Sequence, residues 1–162
     1  LALAALPVAL NWRAMDRRAG ADARAPIALA SALLASAPPL GVLVVAGDND
    51  TYPLWYAQAA LRLRPDVATV TVPLLPARWY RAELARRHRL LPPRVVERWL
   101  GEGATLAALA EAARAEGRPL LASLSVDEAA RAALAGTADA DAWVLQGVAR
   151  LRAGTADVRR PM

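Results

Sequence analysis

The densest run of chemically capable side chains is Gly47-Asp48-Asn49-Asp50-Thr51-Tyr52-Pro53-Leu54-Trp55-Tyr56. Asp48, Asn49, Asp50 and Thr51 bring two carboxylates, an amide and a hydroxyl into consecutive positions, and Tyr52, Trp55 and Tyr56 follow at once. Oxygen ligands of this kind suit hard cations such as Mg²⁺, Mn²⁺ or Ca²⁺, so Asp48 and Asp50 are the candidate ligands of a divalent cation. Aromatic faces beside carboxylates and amides also hold sugars, the ring C–H groups stacking and the hydroxyls hydrogen-bonding. Trp79 and Tyr80 form a second aromatic pair, and Gln58, Arg64 and Asp66 are the polar residues that could complete a network around such a ligand.

Each of these readings has a structural rival. Asp48 can turn the chain, Asp50 or Thr51 can cap a following helix, and Asn49 can take an unusual backbone angle. Three-residue acidic patterns recur by chance, which favours that account. The aromatic rings can serve as core over the end of a sheet, the expectation for Trp55 and Trp79, and Arg64-Pro65-Asp66 can be an ordinary helix-to-strand turn.

Other chemistries are excluded more firmly. An EF-hand fails because Tyr52 and Pro53 stand where an oxygen ligand and a glycine are needed. The G-x-G-x-x-G turn of dinucleotide sites and the P-loop are both missing, so neither NAD nor ATP is expected. Asp48-Asn49-Asp50 does have the D-x-D form with which many nucleotide-sugar glycosyltransferases hold a metal on the diphosphate. Two-carboxylate hydrolysis wants its acids about 5 to 9 Å apart across a substrate, which near neighbours in sequence meet only by accident of the turn. The chain contains no cysteine and one histidine, His88, in an Arg-rich segment. Thiolate sites are therefore absent, and Ser-His-Asp catalysis has little to build on.

The elements that must position these residues follow from the apolar pattern. Leu40 to Ala46 predicts a strand apolar on both faces, as a central parallel strand is, with the acidic turn at its carboxyl end, where α/β sheets bind ligands. Helices are predicted over 26–36, 54–63, 79–90, 105–116 and 127–134, and further strands over 66–75, 119–126 and 142–152. Residues 95–100 read as a short helix or an extended crossing. Thr105 and Asp50 are read as caps, Gly117 and Gly136 as terminators. The order α-β-α-β-α-α-β-α-β predicts a small three-layer, Rossmann-like α/β sandwich with a mostly parallel sheet of about four strands.

Leu1 to Leu10 is uninterrupted apolar sequence followed by Asn11-Trp12-Arg13. A membrane span needs about 20 apolar residues, so residues 1–12 are expected to be the end of a truncated transmembrane helix, with Trp12 as interfacial anchor. A signal-peptide core with Ala19-Gly20-Ala21 as cleavage site ranks second, and a buried helix third. Residues 13–25 read as a linker and 26–162 as a soluble α/β domain. That domain is one unit of the 162-residue chain.

All twenty basic residues are Arg, and the net charge is +5. The arginines are scattered among Glu and Asp rather than gathered in a stripe, so no nucleic-acid partner is expected. The densest group, Arg81, Arg86, Arg87 and Arg89, fits the solvated face of a helix.

Gly47 to Gln58 (GDNDTYPLWYAQ), Arg64 to Val67 (RPDV) and Pro73 to Tyr80, with Trp143 to Arg152 more loosely, resemble the signature of a bacterial multi-pass membrane family of unknown function. Its members carry a protein-O-mannosyltransferase-like GT-C membrane domain followed by a soluble C-terminal domain. They are related to the vertebrate transmembrane O-mannosyltransferase of plexins. The resemblance implies a parent enzyme that transfers a sugar from a polyprenyl-phosphate donor to a protein or glycan acceptor, with its catalytic acids in a membrane-domain loop outside this chain. The present domain would then be accessory and non-catalytic alone. It would be held at the bacterial inner membrane by upstream helices, on the periplasmic side. Pro76-Ala77-Arg78 departs from the polar residues the family usually carries there. Four Arg soon after the apolar run favour the cytoplasmic side by the positive-inside rule, a signal weakened by the all-Arg composition. The alternatives are a free-standing periplasmic or secreted Rossmann-like binding module, and a metal-dependent enzyme using Asp48 and Asp50.

Overall fold

The computed structural model describes residues 2–15, 21–137 and 142–153. In chain order these form α1 (Ala2–Met15), α2 (Ala21–Ser36), β1 (Val42–Val45), α3 (Asp48–Ala59), β2 (Ala68–Thr71), a 3-10 turn (Val72–Leu74), α4 (Arg78–His88), α5 (Pro93–Glu97), α6 (Glu102–Ala115), β3 (Leu120–Ser123), α7 (Glu128–Ala135), β4 (Trp143–Gln146) and β5 (Ala149–Arg152).

The sheet is mixed and has five strands in the order β2-β1-β3-β5-β4. Only β1–β2 and β1–β3 are parallel; β3–β5 and β5–β4 are antiparallel. This overturns the expected mostly parallel sheet of about four strands. The single strand expected over 142–152 is a hairpin that turns at Gly147-Val148. A two-residue connection can join only antiparallel neighbours. Gly147 has φ 58°, and a Cβ there would lie 2.2 Å from Ser36 Oγ. Both the turn and the packing require glycine. The hairpin docks on α2: Gln146 Nε2 donates to Ser36 O at 2.9 Å, and Val148 N–H donates to Ser36 Oγ at 3.1 Å.

The two sheet faces bury separate apolar clusters. One gathers Leu33, Leu34, Leu43, Val45, Leu54, Leu121 and Leu151 beneath α2 and α3. The other gathers Val42, Val44, Val70, Leu84, Leu106, Leu109, Ala122 and Leu134 beneath α4 to α7. Every residue of β1, β2 and β3 is buried: β1 is an apolar run covered on both faces, while β2 and β3 also bury Thr69, Thr71 and Ser123. The link from β1 to β2 crosses one face through α3, and the link from β2 to β3 crosses the other through α4, α5 and α6. The topology therefore switches between β1 and β3.

Residues 2–12 of the expected end of a membrane span lie in α1. α1 has 14 residues, and no helix among the described residues is long and apolar enough to cross a membrane. Residues 21–25, read as linker, are the first turns of α2, since Ala-Asp-Ala-Arg-Ala is rich in strong helix formers. The linker's residues 16–20 and the chain beyond 153 lie outside the described residues.

Candidate functional site

The acidic turn sits at the carboxyl end of β1, beside the end of β3, at the switch point where open α/β sheets form ligand crevices. Asp50 is not a cap. α3 starts from Gly47 with no side-chain cap, and the Asp50 carboxylate instead reaches across the crevice to β3. Its Oδ2 accepts from Ser123 Oγ at 2.8 Å and from Ser125 Oγ at 2.6 Å. The two hydroxyls lie 2.7 Å apart, and Ser125 Oγ also accepts the Ala46 N–H at 3.1 Å.

Thr51 is buried and turns its hydroxyl back to Gly47 O at 2.9 Å. Thr105 does the same to Gly101 O at 2.8 Å, so neither threonine is the N-cap its position suggested. Asp48 and Asn49 are exposed on the first turn of α3, and Asn49 has no positive φ.

This crevice is built to hold shape. The serine hydroxyls give their protons to a carboxylate, with no imidazole beside them to take one. The chain's one histidine is at the far end of α4. Asp50 Oδ2 is already engaged twice, and among the described residues no three His, Asp or Glu side chains gather as metal ligands.

The aromatic residues define a different place. A groove of about 670 Å³ runs along the outer edge of β2, walled by α3 on one side and α4 on the other. Trp55 stands on the α3 wall and Trp79 on the α4 wall. Neither is core as expected: Trp55 is 36% exposed and Trp79 62%. Each ring meets a tyrosine edge-on, Tyr52 against Trp55 at 6.0 Å and Tyr80 against Trp79 at 5.5 Å between centroids. Tyr52 and Tyr56 are exposed outside the groove.

The groove floor is made by residues that protect the edge strand, whose backbone would otherwise stand open. Gln58 Nε2 donates to Val67 O at 2.8 Å and to Arg64 O at 3.1 Å, and Gln58 Oε1 accepts the Thr69 hydroxyl at 2.9 Å. Tyr80 is buried and its hydroxyl accepts the Thr71 N–H at 2.7 Å. Burial pushes the Tyr80 phenol above its ordinary pKa.

His88 ends the groove beside Arg62 and Arg87. Burial, then the charges of Arg118 and Arg87, hold its imidazole below the usual pKa, against an opposing pull from Glu83.

Arg64 and Asp66 belong to neither place. Arg64 donates to Leu34 O and Ala37 O, both at 2.9 Å, and to Pro38 O at 3.0 Å, closing the carboxyl end of α2. Its Nε and Nη2 grip Asp66 at 2.8 and 2.9 Å, while Asp66 also accepts the Leu40 N–H at 3.0 Å. The Arg64 guanidinium holds this carboxyl well below the usual carboxylate range.

Arg81 corrects the reading of its arginine group as a solvated face. It is 2% exposed and donates to Val95 O at 2.8 Å, Leu75 O at 2.7 Å, Pro76 O at 2.6 Å and Val96 O at 3.1 Å. Its guanidinium carbon lies 5.5 Å from the centre of the Trp99 ring.

Sequence reasoning missed Ser123 and Ser125, although their i, i+2 spacing at the end of a strand puts both on one face. It also missed Thr69, Arg62, Glu83 and Arg87 as groove residues, for no local pattern marks them.

The fold and groove define an α/β domain with an aromatic-walled cleft on its sheet edge. Residues 26–93, which include most of α2 and all of β1, α3, β2 and α4, match the family model described as TMEM260-associated domain 2. That match fits a link between this part of the chain and the TMEM260 O-mannosyltransferase family. No curated protein and no solved structure matches the chain.

Proposed function

We propose that the chain is an accessory domain of a TMEM260-like membrane glycosyltransferase, non-catalytic by itself, and that the groove along β2 holds a carbohydrate. One observation carries the second half. Trp55 and Trp79 present themselves to solvent on opposite walls of one cleft, above a floor of Gln58, Thr69 and Tyr80. Large aromatic rings are usually withdrawn from water, and here two are held out by edge-on tyrosines. Pyranose C–H faces stack on such rings, and the Gln58 amide oxygen and Thr69 hydroxyl have acceptor capacity to spare for sugar hydroxyls.

The first half is supported by the family match over 26–93. On this reading, chemistry with a polyprenyl-phosphate sugar belongs to the rest of the parent protein. The domain holds a protein-borne or free glycan acceptor on the periplasmic side of a bacterial inner membrane.

The test is a tryptophan-fluorescence titration of the 162-residue chain with a panel of neutral and acidic oligosaccharides, repeated on Trp55→Ala and Trp79→Ala. Saturable binding that either substitution weakens at least about tenfold, the scale of a lost stacking contact, is the expected result. Binding that survives in both variants moves the site elsewhere.

A further inference from the structure

The groove is chemically uneven along its length. α3 and α4 both run back from the carboxyl ends of the strands, so position along either helix gives position along the cleft. On each wall the tryptophan lies nearer the carboxyl ends of the strands than the arginine of the same wall. Arg87 follows Trp79 along α4 by about 12 Å at the α-helical rise, and Arg62 follows Trp55 in the turn beyond the end of α3 at Ala59. The end of the groove away from the strands' carboxyl ends therefore carries two guanidinium groups beside half-buried His88.

One local carboxylate offsets only part of this charge. Glu83 is shared, accepting two bonds at 2.8 and 3.0 Å on one oxygen from Arg86 and pairing with Arg87 as well. Arg62 makes no ion pair with a described residue, and its φ of 58° belongs to a turn that ends α3 and sets the side chain at the groove. A neutral sugar would leave this cationic end with water alone. A ligand with a stacking ring and an anionic group would use both ends.

We propose that the saccharide held along β2 carries an anionic group, phosphate or carboxylate, which Arg62 and Arg87 bind while its pyranose ring stacks on Trp55 or Trp79. This rests on the reading of the groove as a carbohydrate site and names the class of carbohydrate. Guanidinium donors fork onto either anion, and such charge-assisted bonds are about twice as strong as neutral ones.

The test titrates the full chain with trehalose, trehalose 6-phosphate, the hyaluronan disaccharide and inorganic phosphate, read by calorimetry at low and high salt. The phosphorylated sugar or the uronic acid, whichever is the matching source, binds at least about tenfold more tightly than trehalose, and salt erodes the difference. The double variant Arg62→Asn/Arg87→Gln, which keeps a residue tolerant of positive φ at 62 and a helix former at 87, closes the gap. Equal affinity for all three sugars overturns the anionic assignment and leaves the carbohydrate groove standing. Phosphate alone binding as tightly as the sugar phosphate, with no effect of Trp79→Ala, overturns both readings. So does the absence of binding by every probe.

Discussion

Asp50 and Ser125, 75 positions apart in the chain, meet at 2.6 Å across the crevice between β1 and β3. With Ser123 they join the first turn of α3 to the end of the neighbouring strand, at the place where a ligand site would be sought first. Replacing Asp50 with Ala strands two hydroxyls and is expected to cost about 1 to 3 kcal/mol in urea unfolding. Asp48→Ala, on the exposed side of the same turn, is expected to stay within about 0.5 kcal/mol. A Mn²⁺ titration in which Asp50→Ala abolishes binding without loss of stability would reverse this account.

Arg81 makes a sharper prediction. Four backbone carbonyls from the segments before and after α4 depend on one buried guanidinium. Arg81→Leu preserves apolar bulk but removes every donor, and should cost about 3 kcal/mol or more. Arg86→Ala, on the exposed side of the same helix, should leave the urea midpoint nearly unchanged. Equal effects of the two would mean that the carbonyls find other partners.

The Arg64–Asp66 pair predicts an acid signature. Because the folded-state pKa of Asp66 is depressed, first by the hydrogen bond from Arg64, its contribution is complete above the ordinary aspartate pKa. It is lost as pH falls through the folded value. Both side chains are about a third exposed, so solvent screening trims the effect. Asp66→Asn should destabilise by about 1 to 2 kcal/mol at pH 7, and the gap to the wild type should shrink below about pH 4. A gap constant down to acid pH would assign the loss to packing instead.

His88 predicts the opposite end of the titration. Burial, then Arg118 and Arg87, favour the neutral imidazole in the folded protein. The unfolded chain takes up its proton first, near pH 6.5, so stability falls as pH drops below that value until the folded-state pKa is reached. Denaturation midpoints measured between pH 8 and pH 5 should fall for the wild type and stay flatter for His88→Gln. Identical profiles would show that His88 titrates as a free side chain.

Gly147 tests the hairpin that the sequence pattern concealed. Gly147→Ala meets both a positive φ and Ser36 Oγ at 2.2 Å, and is expected to cost about 2 kcal/mol. Gly103→Ala, within α6 and with only Ala133 Cβ near at 4.0 Å, should be neutral or stabilising.

Local pattern was enough for β1, β2 and β3, because β1 is apolar throughout, as a strand covered on both faces can be, and β2 and β3 lie in short apolar or β-branched runs that each follow a proline. It was enough for α7 too, which Asp127 caps through the Ala130 N–H at 2.8 Å and Gly136 ends at φ 74°. Such signals act within a few residues, so they are visible in the chain itself. Which strands become neighbours is not a local property. The same alternation from Ala142 to Arg152 serves one strand or two, and only docking of Gly147 against Ser36 makes it a hairpin and the sheet mixed. The same limit governed the site. Aromatic and acidic residues adjacent in sequence were separated once α3 formed: Asp50 went to the crevice with two distant serines, and Trp55 to the β2 edge opposite Trp79. Tyr80, the immediate neighbour of Trp79, was buried against the same strand. Side-chain type could propose the chemistry, but strand order and helix face decided which groups share a cleft.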